Sequence, residues 1–440
     1  MSAFSERRAT VLDRLGDGVM IVPAAVHALR SNDTEYEYRQ NSDFYYLTGF
    51  TEPEAVLVLA PHREQQRVTL FLRPRDRALE IWNGKRLGVE AAPAALGVDA
   101  AFPIDELAQR LPDALAGARR AFVQLGDDER FDRTFFTALK AARAKTRRGG
   151  FAPDTFVDPS TILHAMRLIK DAGEIDLMRR AAQISRLGHI AGMRATRPGL
   201  YEYELEAIIE HTYRLNGAQD AAYSSIVAGG ENATILHYNT NREQLRADEL
   251  VLVDSAAELD LYASDVTRTW PVDGRFTPEQ RALYEIVLAA QKAAIAEVRP
   301  GAHVRTAHDA ALRVLVAGLL ELGLLQGSVD EALETESYKQ FYMHGTGHWI
   351  GLDVHDVGAY RLTDGVTHRP LEPGMVVTVE PGLYVQRDLD CDERFKGIGV
   401  RIEDDVLCGP DGPDVLSAGT PKEIDEIEGI VGADTLARVR

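Results

Sequence analysis

The stretch "LVLVDSAAELDLYASD", residues 250–265, runs from an unbroken apolar segment into one aspartate, then through a polar centre into a second. Asp254 closes the apolar run, and Asp265 follows 11 residues later within a second strand-like segment, "YASDVTRTWPV" (262–272). A hairpin centred on Leu259 and Asp260 would set positions 254 and 265 directly opposite each other. Opposed Cβ atoms lie about 4.5–5.5 Å apart, which suits carboxylates sharing two metal ions about 3.5–4 Å apart. The turn lacks the Asn-Gly or Asp-Gly of tight hairpins. On this stretch alone, two solvated loop aspartates are an equally good reading.

Working outward, the layout around this hairpin occurs twice. "KDAGEIDLMRRAAQISRLGHIAGMRAT" (170–196) has the apolar spacing of a long amphipathic helix, "RPG" (197–199) ends it, and "YEYELEAIIEHTYRLNGA" (201–218) is a second helix. A hundred residues on, "TPEQRALYEIVLAAQKAAIAEV" (277–298) leads to another "RPG" (299–301) and another helix, "TAHDAALRVLVAGLLELG" (306–323). Strand-like segments follow each pair: 249–254 and 262–272 after the first, 374–382 and 397–407 after the second. The pattern predicts an internally duplicated α+β domain over 166–440, its helices gathered on one face of antiparallel sheet. Before it, "GVMIVPA" (18–24), "AVLVLAP" (55–61), "RVTLFLRP" (67–74) and "RAFVQLGD" (120–127) read as strands, and 128–145 as a helix. That predicts an α/β domain over 1–165, with the irregular "RRGGFAPDTFVDPS" (147–160) at the boundary.

Composition removes several classes of function. With 49 basic and 68 acidic residues the net charge is −19, so nucleic acid is not an expected partner. The two cysteines, Cys391 and Cys408, exclude a disulfide framework and form no C-x-x-C motif. No run approaches the ~18 apolar residues of a membrane span, and the first residues lack the apolar core of a signal peptide. A cytoplasmic protein is expected.

The remaining polar candidates cluster late in the chain. "MHGTGHWIGLDVHD" (343–356) holds His344, His348 and His355. The four-residue spacing of the first two imitates a zinc helix, but Gly345 and Gly347 disfavour a helix and the usual glutamate is missing. An extended loop that approaches another backbone closely is expected instead. "VVTVEPG" places Glu380 at the end of an apolar strand. In "IGVRIEDD", Ile398, Val400 and Ile402 alternate with Gly399, Arg401 and Glu403. Together Asp254, Asp265, His348, Glu380 and Glu403 offer four carboxylates and one imidazole, a hard donor set suited to Mn²⁺ or Co²⁺ and tolerant of Zn²⁺. Crowded without cations, such carboxylates would repel.

These motifs, in this order, resemble the pita-bread metallopeptidases, the fold of methionine aminopeptidase, prolidase and aminopeptidase P. "RQNSDFYYLTGFTEPEAVLVL" and "EIWNGKRLG" in the first domain resemble bacterial aminopeptidase P. The resemblance implies two divalent cations, Mn²⁺ foremost, with Asp254 on one, Asp265 and Glu403 bridging, and His348 and Glu380 completing a shell. It implies that His237, His344 and His355 contact substrate, that Glu380 also moves a proton, and that Tyr384 and Arg401 support the site. The implied activity is release of the first residue from peptides with proline second. Prolidase action on X-Pro dipeptides and a non-enzymatic binding module are the alternatives. Homo-oligomers, tetramers or dimers, are implied as well. One departure is visible: Ser255-Ala256 follows Asp254 where the family commonly has Ala-Gly.

Overall fold

A computed structural model describes residues 2–433, the side chain of Arg148 excepted; 434–440, the end of the expected second domain, lie outside the described residues. The chain forms two compact units that divide between Arg167 and Leu168.

The first unit is built on a mixed six-stranded sheet. Its order is Ala100–Pro103, Val68–Leu72, Val56–Leu59, Gly18–Pro23, Arg120–Val123 and Thr155–Val157. Val56–Leu59 and Val68–Leu72 are buried at every position, which is why they read as continuous apolar runs rather than alternating ones. One face packs on the helices Leu107–Leu115 and Glu129–Lys145 through Leu111, Leu115, Phe131, Phe135 and Leu139. Asp128 starts the second of these helices by accepting the N–H groups of Arg130 and Phe131. The two edge strands went unseen in the sequence; the three-residue Thr155–Val157 lies inside the stretch that read as irregular.

The second unit repeats one theme. The helices Ala172–Ala195 and Glu202–Leu215 precede an antiparallel sheet of Ile226–Gly229, Leu250–Asp254 and Thr267–Pro271. The helices Pro278–Ala296 and Val304–Glu321 precede a second, of Val376–Val379, Asp404–Gly409 and Gly412–Val415. Capping boxes, Asp171 with Glu174 and Thr277 with Gln280, start the leading helix of each pair. The two Arg-Pro-Gly triplets make the same clamp. Gly199 N–H donates to the Leu245 carbonyl (2.8 Å) and Leu245 N–H to the Leu200 carbonyl (2.8 Å). Gly301 N–H donates to the Leu371 carbonyl (2.9 Å) and Leu371 N–H to the Ala302 carbonyl (2.7 Å). Both glycines have positive φ, 88° and 83°, so the triplet is the shared hinge of a duplicated unit. One apolar core joins all four helices to the strands.

The hairpin forms, but not in the expected register. Leu259 pairs with Tyr262 and Asp254 with Thr267, so the turn is Asp260-Leu261. Both turn residues have positive φ, 48° and 66°, as a type I′ connection requires. Asp260 tolerates that conformation and is exposed, whereas Leu259 is buried and stays in its strand. Asp254 therefore faces Thr267, and Asp265 lies diagonal to it on the same face of the ribbon. "IGVRIEDD" is also buried on both sides, its strand Ile398–Arg401 ending two residues before Glu403.

Gly399, in that strand, has no room for a side chain: a Cβ there would lie 2.1 Å from the Ala233 carbonyl oxygen. Gly399→Ala should destabilise the protein by about 1–3 kcal/mol, read as a lowered denaturant midpoint; an unchanged midpoint would contradict this packing.

Candidate metal centre and active site

Five segments converge on one point. Asp254 ends the strand Leu250–Asp254, and Asp265 follows the turn of the same hairpin. His348 sits in the histidine loop, Glu380 between Val376–Val379 and Gly382–Val385, and Glu403 between Ile398–Arg401 and Asp404–Gly409. Asp265, His348 and Glu403 each bring a ligand atom within 4.8 Å of the others. His348 Nε2 lies 3.4 Å from Asp265 Oδ2 and 3.7 Å from Glu380 Oε1. Asp254 joins through Tyr223, whose hydroxyl lies 2.6 Å from Asp254 Oδ1 and 2.6 Å from Asp265 Oδ1.

The electrostatics follow from that crowding. Burial and the neighbouring carboxylates push the Glu403 carboxyl well above its ordinary range. Burial raises Glu380 to about 7, with the His348 charge opposing and Asp265 adding to the rise. Burial would lower His348, but the hydrogen bond and charge of Asp265 together with Glu380 raise it to about 9. Carboxylates crowded together and desolvated in this way form a site for divalent cations, and the donor set of oxygens plus one imidazole fits them. His348 Nδ1 donates to the Trp349 carbonyl (3.0 Å), which turns Nε2 toward the carboxylates.

The histidine loop has no helix, as its glycines predict. Gly347 is the point of close approach: a Cβ there would lie 1.9 Å from the Thr378 carbonyl oxygen. Thr378 N–H donates to the His348 carbonyl (2.9 Å), and His348 N–H to Thr378 Oγ1 (3.1 Å). His344 Nδ1 donates to the Gly345 carbonyl (2.7 Å), leaving Nε2 to accept from Tyr384 (2.8 Å). Arg401 in turn donates to Tyr384 (2.9 Å) and to Asp254 (2.8 Å). Burial, then the Arg401 charge, lower His344 to about 4, so it is neutral. The His355 ring stands edge-on to His348, centroids 4.3 Å apart.

A cavity of about 760 Å³ opens above the carboxylates. His237, His344 and His355 line it beside Asp254, Asp265, His348, Glu380, Arg401 and Glu403, with Ile226, Leu236, Val354 and Tyr360 as apolar walls. Tyr384 is buried behind His344 rather than in the cavity wall. Sequence reasoning missed Tyr223, which has no motif around it. It also missed Thr267, whose hydroxyl donates to Glu403 (2.6 Å), and Asp405, which accepts the Asp265 N–H (3.1 Å). The available signal for Thr267 was its place two residues beyond Asp265, on the same face of the same strand-like segment. Ser255, the departure from the family pattern, shares hydrogen bonds with Ser225 (2.9 Å) and Tyr213 (3.2 Å) and anchors the strand end behind Asp254.

With this geometry in view, comparison with known proteins is decisive. The model of the metallopeptidase family M24 matches residues 176–410, and that of the aminopeptidase P N-terminal domain matches residues 4–123. The chain is 44% identical over 429 residues to an Xaa-Pro aminopeptidase of Haemophilus influenzae, spanning 97% of this chain and 96% of that protein. The solved structure of an aminopeptidase from Pseudomonas aeruginosa superposes with a TM-score of 0.95 at 47% identity, covering 98% of this chain and 97% of that one. Zinc-substituted Escherichia coli aminopeptidase P in complex with product gives 0.93 at 42% identity, covering 98% of each chain. The chain belongs to the metallopeptidase family M24, whose pita-bread fold its second unit adopts, and within it to the aminopeptidase P group of metal-dependent hydrolases.

Because only hydrogen fits at Gly347, Gly347→Ala should displace His348 without unfolding the core. Divalent-metal affinity should fall by about 10–100-fold, measured by titration against a competing chelator. Native affinity in a folded variant would show that His348 is held by something other than this contact.

Proposed function

We propose that this chain is a dinuclear-metal aminopeptidase that releases the N-terminal residue from peptides with proline in second position. The convergence of Asp254, Asp265, His348, Glu380 and Glu403 beneath a cavity edged by three further histidines carries this reading. In it Asp254, Asp265, His348, Glu380 and Glu403 would hold two divalent cations, with Asp265 and Glu403 serving both, Asp254 one, and His348 and Glu380 the other. Mn²⁺ is the first choice, with Co²⁺ and Zn²⁺ acceptable to the same donors. Residues 1–165 serve as the N-terminal domain and 166–440 as the catalytic domain of a cytoplasmic homo-oligomer, a tetramer or dimer. Among the described residues no helix is long and apolar enough to cross a membrane.

When bound, the cations supply Lewis-acid polarisation of a carbonyl oxygen and an acidified water. The chain's own groups do the rest. Glu380, which lines the cavity beside the other proposed ligands, can pass a proton to the leaving nitrogen. A proline nitrogen in a tertiary amide has no proton of its own and needs one to leave. His355, whose basicity is lowered by burial and by His348, faces the cavity as a donor toward the scissile carbonyl oxygen. His344, kept neutral and oriented by Tyr384 and Arg401, and His237 form polar walls around the proline ring.

The test removes metal, restores Mn²⁺, and compares an X-Pro-Y tripeptide, an X-Pro dipeptide and an X-Ala-Y tripeptide. Cleavage of the first alone is expected. Preference for the dipeptide would make the chain a prolidase, and no cleavage with two metals bound would leave a binding module. Asp265→Ala and Glu403→Ala should each abolish hydrolysis and bridging-metal content while circular dichroism stays native; activity in either would refute the ligand assignment.

A further inference from the structure

His237 differs from the other cavity histidines. Among the described residues no hydrogen bond holds its ring, and it sits in a stretch between Gly229 and Glu243 that has only one short 3₁₀ turn, Gly230–Thr234. Its place is therefore set by how the backbone on either side is fastened. Two buried side chains do most of that fastening: Asn241 accepts the Val227 N–H (3.0 Å) and donates to the Ser225 carbonyl (2.8 Å), and Glu202 holds the chain on both sides of His237. Glu202, fully buried at the first turn of the helix Glu202–Leu215, accepts four hydrogen bonds from this stretch. Oε1 takes the Gly229 N–H (2.9 Å) and Asn232 Nδ2 (3.0 Å). Oε2 takes the Tyr238 hydroxyl (2.8 Å) and the Glu243 N–H (2.8 Å).

The donors flank His237 on both sides, and one is the hydroxyl of the very next residue. Glu202 N–H also donates to the Glu243 carbonyl (3.0 Å), so the stretch leaves and returns to the same residue. The carboxyl group accepts at all four positions; an amide would set its NH₂ where one oxygen stood, facing two donors. Burial, then the carboxylate itself, raise the Tyr238 hydroxyl to about 12, so it keeps the proton it donates. Neither Glu202 nor Tyr238 lines the cavity.

We infer that Glu202 is a positioning residue for substrate binding, fixing His237 in the cavity wall by anchoring the irregular segment on both sides of it. This rests on the proposed aminopeptidase activity and on His237 meeting the substrate. Because the anchor touches neither the proposed ligands nor the reacting atoms, its loss should appear in KM more than in kcat, with metal content intact.

The test is a double-mutant cycle on the Mn²⁺-loaded enzyme with an X-Pro-Y tripeptide. Glu202→Gln should lower kcat/KM by about 10–100-fold, mainly through KM, with the native two metals retained. Tyr238→Phe, which keeps the ring and removes one of the four donors, should lower it by about 3–10-fold. His237→Ala should lower it as well. In the His237→Ala background, Glu202→Gln should cost about twofold or less, because the group it positions is gone. Should Glu202→Gln fail to fold, Tyr238→Phe in both backgrounds completes the cycle. Additive losses, or native kinetics in folded Glu202→Gln and Tyr238→Phe proteins, would overturn the inference and leave the aminopeptidase reading standing. Native kinetics in His237→Ala would overturn the inference together with the assigned role of His237.

Discussion

The second unit is organised around a repulsion. Four carboxylates and one imidazole are held close together in a largely buried pocket, where like charges disfavour one another and burial disfavours each. No folding force gathers such groups by itself. They are delivered by strand ends and turns whose apolar residues are committed to the core, and the favourable burial of those strands outweighs the local electrostatic cost. The neutral and cationic partners around them limit that cost. Arg401 pairs with Asp254, Tyr223 lies between the two aspartates, and Thr267 donates to Glu403. What these cannot supply is enough positive charge, and that shortfall makes the pocket selective for cations.

The delivery depends on backbone register at two places. The hairpin sets Asp254 opposite Thr267 rather than Asp265, and this serves the cluster well. Thr267 takes the facing position with a hydroxyl that donates to Glu403, while both aspartates keep to one face of the ribbon. Directly opposed aspartates would have met at closest range with no donor between them. The other place is Gly347, where the histidine loop lies against the Thr378 backbone and delivers the His348 ring to the carboxylates. The duplicated Arg-Pro-Gly clamps place the two halves that carry these parts, each closing a helix pair onto the chain leading into its sheet.

Much of this was legible before the structure, for identifiable reasons. Long helices with caps and a sustained apolar stripe, such as Ala172–Ala195 and Pro278–Ala296, announce themselves through period and end signals. The Arg-Pro-Gly repeat marked the duplication because its glycines serve one backbone requirement in both halves. The hairpin register was misjudged because turn chemistry was weighed against Asn-Gly, whereas Asp260-Leu261 adopts positive φ without a glycine. The short edge strands carry too few residues for a period to show. The supporting side chains were invisible for a different reason. A tyrosine like Tyr223 or a threonine like Thr267 acquires its role only from neighbours distant in sequence.

That contrast separates two kinds of placement within one site. The four proposed carboxylate ligands sit within or close beside strands that pair on a buried core, so their positions are over-determined by many weak contacts. His237 sits on irregular chain, where no ladder fixes the backbone, and only specific polar anchors can do so. Glu202 supplies them from a helix whose axis the core already holds, using one charge to collect donors scattered over fifteen residues. An anchor of that kind is stiff while every donor is present and loosens stepwise as donors are lost. The metal-facing floor can thus stay rigid while the substrate-facing wall depends on a few buried polar side chains, Glu202 foremost.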